Sequence, residues 1–573
     1  MTSRAKPVTR PRRDRLEAGE RRNLLMTVGF VGAIVVAVVI LIAAAGAAWY
    51  GDNMAPMVSV NGATASKDFF RKAVAIEKWR YDQQESHVRD RVAAGHLSAT
   101  EADSQITAIG TLRDNVTDST NTKIIQGLLD GQLATERGVT IPADAVDAAW
   151  TAEATTPEER NAFLITVVPG KSTGETTSSQ AEIDLARKKA DELKAKLEGG
   201  AKWEDVVKEA GTGTSPDGSI GWLRPDSTAV DANTLKAIFA LQPNGISPVV
   251  ETTDGSFDIA RVTDVVPATV DDQFAKKVSD AGLDQGVFRT LLGYESTRTA
   301  LEASVLADAL DKPSAQRQVS EIAVNKPSGT GDAVKVSHIL LSPNGDPQKA
   351  SQVAAADPAW KTAQDLATSI SADIAAGKIS FADAAKKYSN DSGSAADGGV
   401  LPWLTRDQLV TSFGDAVFAD GLKPDQVLAP VKSDYGWHII QYIGRRPPSD
   451  QLIAQIQQEV SQPGADFAAL AKKYSDATNA TQGGDMGWVA RLQLPTEEED
   501  AIFAAPIGTP STAVTTSSGY TIYKVMQEAT RLPDPTQASL IKGTGFDYWF
   551  ALQRATAKIE QLATPAAVLG TTK

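Results

Sequence analysis

The sequence predicts a multidomain α+β protein behind an N-terminal transmembrane helix. Three observations predict it. An uncharged apolar block stands near the start, a pattern of helix, Gly-rich turn and strand recurs three times, and charged helical stretches flank and separate the repeats. At 573 residues the chain is too long for one core, so several domains are expected.

The apolar block runs from Leu24 to about Trp49. Roughly 20 apolar residues cross a bilayer, and the block supplies them. Arg10, Arg12, Arg13, Arg15, Arg21 and Arg22 precede it. Positive charge stays inside. Residues 1–23 are therefore expected as a cytoplasmic basic tail and 24–50 as a single-pass anchor, with Trp49 and Tyr50 at the outer interface. The bulk then lies outside the cell membrane, in the periplasm or at the cell exterior. The competing reading is a cleaved signal peptide, for which Ala43-Ala44-Ala45-Gly46-Ala47-Ala48 offers small residues. A signal core spans about 7–15 residues, and this block is longer, which favours the anchor.

The net charge of −14 argues against nucleic acid as a partner. The absence of cysteine excludes disulfides, a thiolate metal site and a thiol nucleophile.

After the anchor, Val58-Ser59-Val60-Asn61-Gly62 reads as a short strand and turn. Residues 51–157 are otherwise expected to be helical. Phe69, Phe70, Val74, Ile76, Trp79 and Tyr81 alternate with charges, and Ile124, Leu128 and Leu129 follow. These residues fit a helical-bundle core and equally a client-binding chaperone surface.

The repeats come next. The first has Lys202-Trp203-Glu204-Asp205, Asp217-Gly218-Ser219-Ile220-Gly221-Trp222 and Ala237-Ile238-Phe239. The second has Ser380-Phe381-Ala382-Asp383, Gly398-Gly399-Val400-Leu401-Pro402-Trp403 and Ala416-Val417-Phe418. The third has Asp466-Phe467-Ala468-Ala469, Gly483-Gly484-Asp485-Met486-Gly487-Trp488 and Ala501-Ile502-Phe503. Each ends in a β-rich segment, at Phe257–Ala260, His438–Gln441 and Thr521–Lys524. Each unit is expected to be a small α+β module. The modules are placed at 158–266, 334–447 and 448–531, with a charged helical segment at 267–318 and a strand and linker at 319–333. A C-terminal helix and tail, opening at Gly545-Phe546-Asp547-Tyr548-Trp549, is placed in 532–573. Arg446-Pro447-Pro448 and Leu532-Pro533-Asp534-Pro535 mark two boundaries.

The second unit resembles a parvulin domain. Five ordered pieces carry the likeness: Val336-Ser337-His338-Ile339-Leu340-Leu341, Tyr388-Ser389-Asn390-Asp391-Ser392-Gly393-Ser394, Gly398-Gly399, Gln408-Leu409-Val410 with Phe413, and Ser433-Asp434-Tyr435-Gly436-Trp437-His438. The whole layout resembles the SurA, PrsA and PpiD group of extracytoplasmic foldases. The resemblance implies a peptidyl-prolyl cis/trans isomerase with chaperone character and no cofactor, whose partners are unfolded or nascent exported polypeptides. It implies His338, Asp391, Ser433 and His438 as catalytic residues, with Leu401, Leu409 and Phe413 as the proline pocket. The family's usual Gly-Gly-Asp-Leu-Gly-Trp turn reads Gly398-Gly399-Val400-Leu401-Pro402-Trp403 here, and its pocket methionine is Leu409.

Rotating an X-Pro bond crosses a barrier of roughly 20 kcal/mol set by amide resonance, with no bond broken. The catalyst must favour the twisted amide over both planar forms. A partly dry pocket suits the twisted form, which has weaker charge separation. On this resemblance Asp391 is expected to bias the field near the carbonyl, and the paired histidines to organise the site. The remaining histidines, His87 and His96, are expected to be solvated.

Both flanking units are expected to be degenerate. In the first, the histidine positions are assigned to Phe163 and Phe257 and the Phe413 position to Thr234. In the third, Ala477 replaces Asp391, Thr521 the second histidine and Glu498 the phenylalanine. The third unit lacks an obvious first strand. Val319-Ser320-Glu321-Ile322-Ala323-Val324 mimics the 336–341 strand, which suggests that the second module is inserted within the third. Two other functions compete with catalysis: an anchored holdase that uses the modules only as binding scaffold, and a structural envelope protein. No phosphate-binding loop, His-Glu-x-x-His or Gly-x-Ser-x-Gly occurs.

Overall fold

The computed structural model describes residues 12–170, 178–211 and 215–570, with 12–22 as backbone alone. Arg10 and the side chains of Arg12 to Arg22 in the basic tail lie outside the described residues. The chain forms two compact units, residues 1–303 with 556–573, and residues 304–555.

Unit one opens with α1 (Arg12–Asn53). Its Asn23–Asn53 part is long and apolar enough to cross a membrane, and its apolar window is not buried against protein, unlike a core helix. Strands β1 (Pro56–Val60) and β2 (Ala63–Ser66) form a hairpin. Asn61 and Gly62 both take positive φ at its tip, the turn whose twist matches the strands. Four helices follow: α2 (Lys67–Ala93), α3 (Ala99–Asp114), α4 (Val116–Glu136) and α5 (Ala145–Glu153). Phe70, Ile76, Ile124 and Leu129 are buried, so these stripes are core.

The first module comprises β3 (Thr155–Thr156), β4 (Glu159–Val167), α6 (Gln180–Glu198), α7 (Trp203–Ala210), β5 (Ser219–Leu223), α8 (Ala232–Ala240), β6 (Val250–Glu251), β7 (Phe257–Val266) and β8 (Thr269–Val270). Its antiparallel sheet has the order β5-β4-β7-β6, and β3 pairs with β8 apart from it. Helices α9 (Phe274–Asp280) and α10 (Gln285–Leu310) follow.

Unit two takes in the end of α10, and its first strands are β9 (Ser314–Asn325) and β10 (Ala333–Leu341). Residues 314–318, expected in the helical segment, belong to β9. Then come α11 (Pro358–Ala375), α12 (Phe381–Tyr388), β11 (Leu404–Thr405), α13 (Thr411–Val417), β12 (Val431–Ser433) and β13 (Gly436–Arg446). After them come α14 (Ser449–Val460), α15 (Phe467–Tyr474), β14 (Asp485–Val489), α16 (Thr496–Ala504), β15 (Val514–Thr515), β16 (Gly519–Arg531), α17 (Pro535–Leu540) and α18 (Phe546–Thr556). Two sheets result, β11-β10-β13-β12 and β14-β9-β16-β15. Strand β9 pairs with β16 from Ser314↔Arg531 to Asn325↔Gly519. Residues 333–446 therefore enter and leave between two pieces of the other module's sheet. Asp476 joins the two modules. It accepts hydrogen bonds from Trp403 (2.6 Å) and Arg446 (2.5 Å), and Arg446 also stacks on the Trp403 ring.

The stretch expected as a C-terminal tail is structured. Strand β17 (Ile559–Gln561) returns to pair with β1 in unit one, and α19 (Pro565–Leu569) follows it. The element that returns is thus a strand and a short helix, because β1 has an open edge to be paired.

Strand register corrects one assignment. In the second module Leu340 lies opposite His438 and His338 opposite Ile440. In the first, Thr166 lies opposite Asp258 and Leu164 opposite Ala260. The histidine positions in that module are therefore Leu164 and Asp258, one residue on from Phe163 and Phe257. A slip of one residue changes the face of the sheet. Phe257 accordingly packs with Trp203 and Leu193 in the core.

Candidate active site

Strands β10 and β13 are the central pair of the second module's sheet. Because His338 opposes Ile440 and His438 opposes Leu340, the two imidazoles are diagonal neighbours on one face. Val334, Val336, Ile440 and Tyr442 continue that face beneath α13 and pack with Phe413, Leu401 and Leu409. Both histidines are buried. The Phe413 ring meets them edge-on, with centroids 5.9 Å from His338 and 5.1 Å from His438.

Asp391 is delivered by the segment after α12, which is pinned along β10. Asn390 donates its N–H to the Leu340 carbonyl (2.7 Å), its side-chain oxygen accepts from the Ser342 N–H (2.8 Å), and Ser389 Oγ accepts from the Leu340 N–H (3.1 Å). The Asp391 carboxylate then lies 2.7 Å from His338 Nε2. The Ser394 hydroxyl donates to it at 2.5 Å and the Gly393 N–H at 3.1 Å. Burial opposes its ionisation, but the Ser394 hydroxyl, His338 and the Gly393 amide outweigh that and hold its pKa below the ordinary value.

The Gly-rich turn closes the other edge. His338 donates its N–H to the Gly399 carbonyl at 2.7 Å, and Leu401 donates to Val336 at 2.9 Å. Gly399 sits at φ +79, and a Cβ there would stand 2.2 Å from the His338 carbonyl oxygen. Only glycine fits this approach.

On the far side, the β12–β13 hairpin places Ser433 Oγ 2.7 Å from His438 Nε2, and the Tyr435 N–H donates to the same hydroxyl at 3.1 Å. The two histidine Nδ1 atoms are 3.3 Å apart. Burial foremost, with His338 nearby, lowers the His438 pKa to about 3, so its ring is neutral at pH 7. With both rings neutral, one proton assignment satisfies every contact. Ser433 donates to His438 Nε2, His438 Nδ1–H donates to His338 Nδ1, and His338 Nε2–H donates to ionised Asp391. The two rings are then opposite tautomers, and the chain runs in one direction.

The seven residues singled out by sequence thus share one site. Ser394, Asn390 and Tyr435 were not singled out. The Asp-x-x-Ser spacing was the signal for Ser394, since a hydroxyl three residues on can bond back to a carboxylate. His96 is not simply solvated as expected. It stacks on Trp222 with centroids 3.9 Å apart and lies 2.6 Å from Glu159, within unit one.

The sibling modules hold other groups at these positions. In the first, Asp258 is buried and accepts from Thr166 (2.6 Å) and Thr234 (2.7 Å). In the third, Glu321 stands in the place of His338 and accepts from Asn479 (3.0 Å), while Tyr523 bonds Glu498.

Models of the PPIC-type PPIase domain match residues 338–444 and 445–527, and a second model of that description matches 172–276. The 445–527 match begins after the strand that completes its sheet, because that strand is β9. Among curated proteins, the chain is 32% identical over 184 residues to the Chaperone SurA of Methylobacillus flagellatus, covering 28% of this chain and 41% of that one. It is 27% identical over 243 residues to the Chaperone SurA of Xanthomonas oryzae pv. oryzae, covering 36% and 50%. The chain spans about half the length of the curated relatives it matches. A crystal structure of the peptidylprolyl isomerase PrsA from Bacillus anthracis is 24% identical, covers 34% of this chain and 75% of that chain, and has a TM-score of 0.16, too low to carry the comparison further. With three stretches matched by models of one domain, the chain belongs to the PPIC-type PPIase, or parvulin, family, with SurA-like relatives.

Proposed function

We propose that the chain is a membrane-anchored peptidyl-prolyl cis/trans isomerase and chaperone that assists exported polypeptides outside the cytoplasmic membrane. One observation carries the reading. His338, Asp391, His438 and Ser433 form a continuous hydrogen-bonded array against the apolar wall of Leu401, Leu409 and Phe413. The wall receives the proline ring and strips water from the amide, which favours the twisted form. The directed hydrogen bonds hold both imidazoles and the Asp391 charge in place, so little reorganisation accompanies rotation. No step requires a proton to leave the array.

In this reading module 334–447 is the intact isomerase. Modules 158–266 and 448–531 are degenerate, with Leu164 and Asp258 at the histidine positions of one and Glu321 and Thr521 at those of the other. The helical regions 51–157 and 267–313 bind clients. Arginines ahead of the apolar helix keep the N-terminus cytoplasmic and the bulk outside. The alternative is an anchored holdase. An isomerisation assay on prolyl peptides with the full chain decides. Turnover that falls steeply in Asp391→Ala with His438→Ala supports the enzyme, whereas no turnover in the wild type, with client aggregation still suppressed, supports the holdase.

A further inference from the structure

The end of an α-helix leaves its last four carbonyls without partners in the helix, and a helix that hands over to a flexible tether leaves them to water. Helix α1 does not end that way. The Tyr50 carbonyl accepts from the N–H groups of Met54 (2.9 Å) and Ala55 (2.8 Å). The Gly51 carbonyl accepts from Lys67 Nζ at 2.7 Å. The Asp52 carbonyl accepts from Arg71 Nη2 at 2.7 Å, and Asn53 Oδ1 from Arg71 Nη1 at 3.3 Å. Arg71 also donates through Nε to the Val568 carbonyl at 3.0 Å, which ties α19 into the same knot. Two cations thus sit on the negative end of the helix dipole, and both belong to the first turns of α2.

The chain leaves no slack either. Helix α1 ends at Asn53 and β1 begins at Pro56, where Met57 and Val58 are already buried. If Trp49 and Tyr50 mark the outer interface, the folded body starts within a few residues of it. The end of the sheet nearest α1 carries Ser66 of β2, opposite Pro56, and Leu562, whose N–H donates to the Met57 carbonyl. Met54 and Leu562 are large apolar side chains exposed at that end.

We infer that α1 is a rigid mount. Lys67 and Arg71 clamp its last turn to unit one, and the face bearing Met54 and Leu562 rests in the phospholipid headgroup layer. The inference relies on the anchor reading given above. It makes the partner of this face a lipid surface and holds unit one against the membrane instead of on a swinging leash.

The chain has no cysteine, so introduced cysteines label uniquely. An added Cβ at Gly46 or Gly131 meets nothing within 4 Å. The full chain carrying Gly46→Cys and Gly131→Cys is spin-labelled in phosphatidylcholine nanodiscs, and the distance distribution is measured by pulsed electron resonance. A single narrow distribution is expected. Adding Lys67→Ala and Arg71→Ala should spread it towards the roughly 12 Å end-to-end scatter of a free five-residue tether. A broad distribution in the unaltered mount overturns the inference, as does a narrow one that the double variant leaves unchanged. A label at Leu562→Cys should be shielded from a water-soluble nickel chelate relative to one at Gly131→Cys, and equal accessibility removes the lipid contact. Should the Gly46→Cys label itself be open to the chelate, the anchor reading falls and the mount falls with it.

Discussion

The Nδ1 atoms of His338 and His438 lie 3.3 Å apart, and only one of them can carry the shared proton. With His338 neutral and its Nε2–H directed to Asp391, the His438 ring is the donor between them. The catalytic reading makes this arrangement one unit, so removing its ionised end should disturb all of it. Asp391→Ala deletes a charge-assisted hydrogen bond worth about 1.5–3 kcal/mol. If that energy is expressed in the transition state, kcat/KM for a prolyl peptide falls about 10- to 100-fold. Adding His438→Ala should cost less than a second factor of that size, because the two changes break one chain. Line-shape exchange spectroscopy on a prolyl tetrapeptide measures both.

All turnover should reside in one module. With Asp391→Ala and His438→Ala together, the full chain should keep no more than a small remainder of its turnover, since Asp258 and Glu321 occupy histidine positions in the siblings. A remainder that Asp258→Ala or Glu321→Ala then removes would show that a flanking module is active. Suppression of client aggregation, followed by light scattering, should survive the same changes.

The recognisable parts of the sequence were those whose chemistry is local. A Gly-Gly turn, the Tyr388–Ser394 segment and two histidines in strand-like surroundings place the second module without long-range information. Three features were not local. The assignment of Phe163 and Phe257 failed because a strand's period of two makes neighbouring residues equally good candidates until pairing fixes the register. His96 looked solvated because nothing near it in sequence announces Trp222 and Glu159. The tail after α18 hid β17, since a three-residue strand has no periodicity to detect and exists only because β1 offers an edge.

Acid should loosen the second module. Burial lowers the His438 pKa to about 3 from the usual 6.5. Between those values the unfolded chain binds a proton that the folded one does not. Stability contributed by the neutral ring is therefore complete above about pH 6.5 and declines as the pH falls towards 3, with a slope of up to roughly 1.4 kcal/mol per pH unit. Asp391, with its lowered pKa, adds to the loss at the acid end. Urea unfolding followed at pH 7, 6, 5 and 4 should show this slope for the wild type and a shallower one for His438→Asn.

Glycine at 399 should be irreplaceable and glycine at 421 nearly dispensable. Both take positive φ, +79 and +80. A Cβ at 399 collides with the His338 carbonyl at 2.2 Å, whereas one at 421 meets nothing within 4 Å. Gly421→Ala should cost only the backbone strain, about 1 kcal/mol. Gly399→Ala must also push the His338 strand away from the turn, and should abolish isomerase activity while lowering the melting temperature. Activity and calorimetry on the two variants side by side separate strain from collision.

The nested arrangement of unit two should depend on a single carboxylate. Asp476 stands where the active module has Asn390. Both side chains accept an N–H at the end of the histidine-bearing strand or its counterpart, Ser342 in one module and Asn325 in the other. Asp476 then does more, gripping Arg446 and Trp403 of the inserted module with both ionic side chains over nine-tenths buried. Removing one partner of such a pair leaves a buried charge uncompensated and costs about 3–5 kcal/mol. Asp476→Ala should lower the unfolding free energy of unit two by that amount. Arg406→Ala breaks the solvent-exposed pair with Asp415 and should cost less than about 1 kcal/mol. If the modules merely abut, the two variants will unfold alike. If Asp476 is the joint, its loss should also split one calorimetric transition into two, because each sheet keeps its own core while the tie between them is gone.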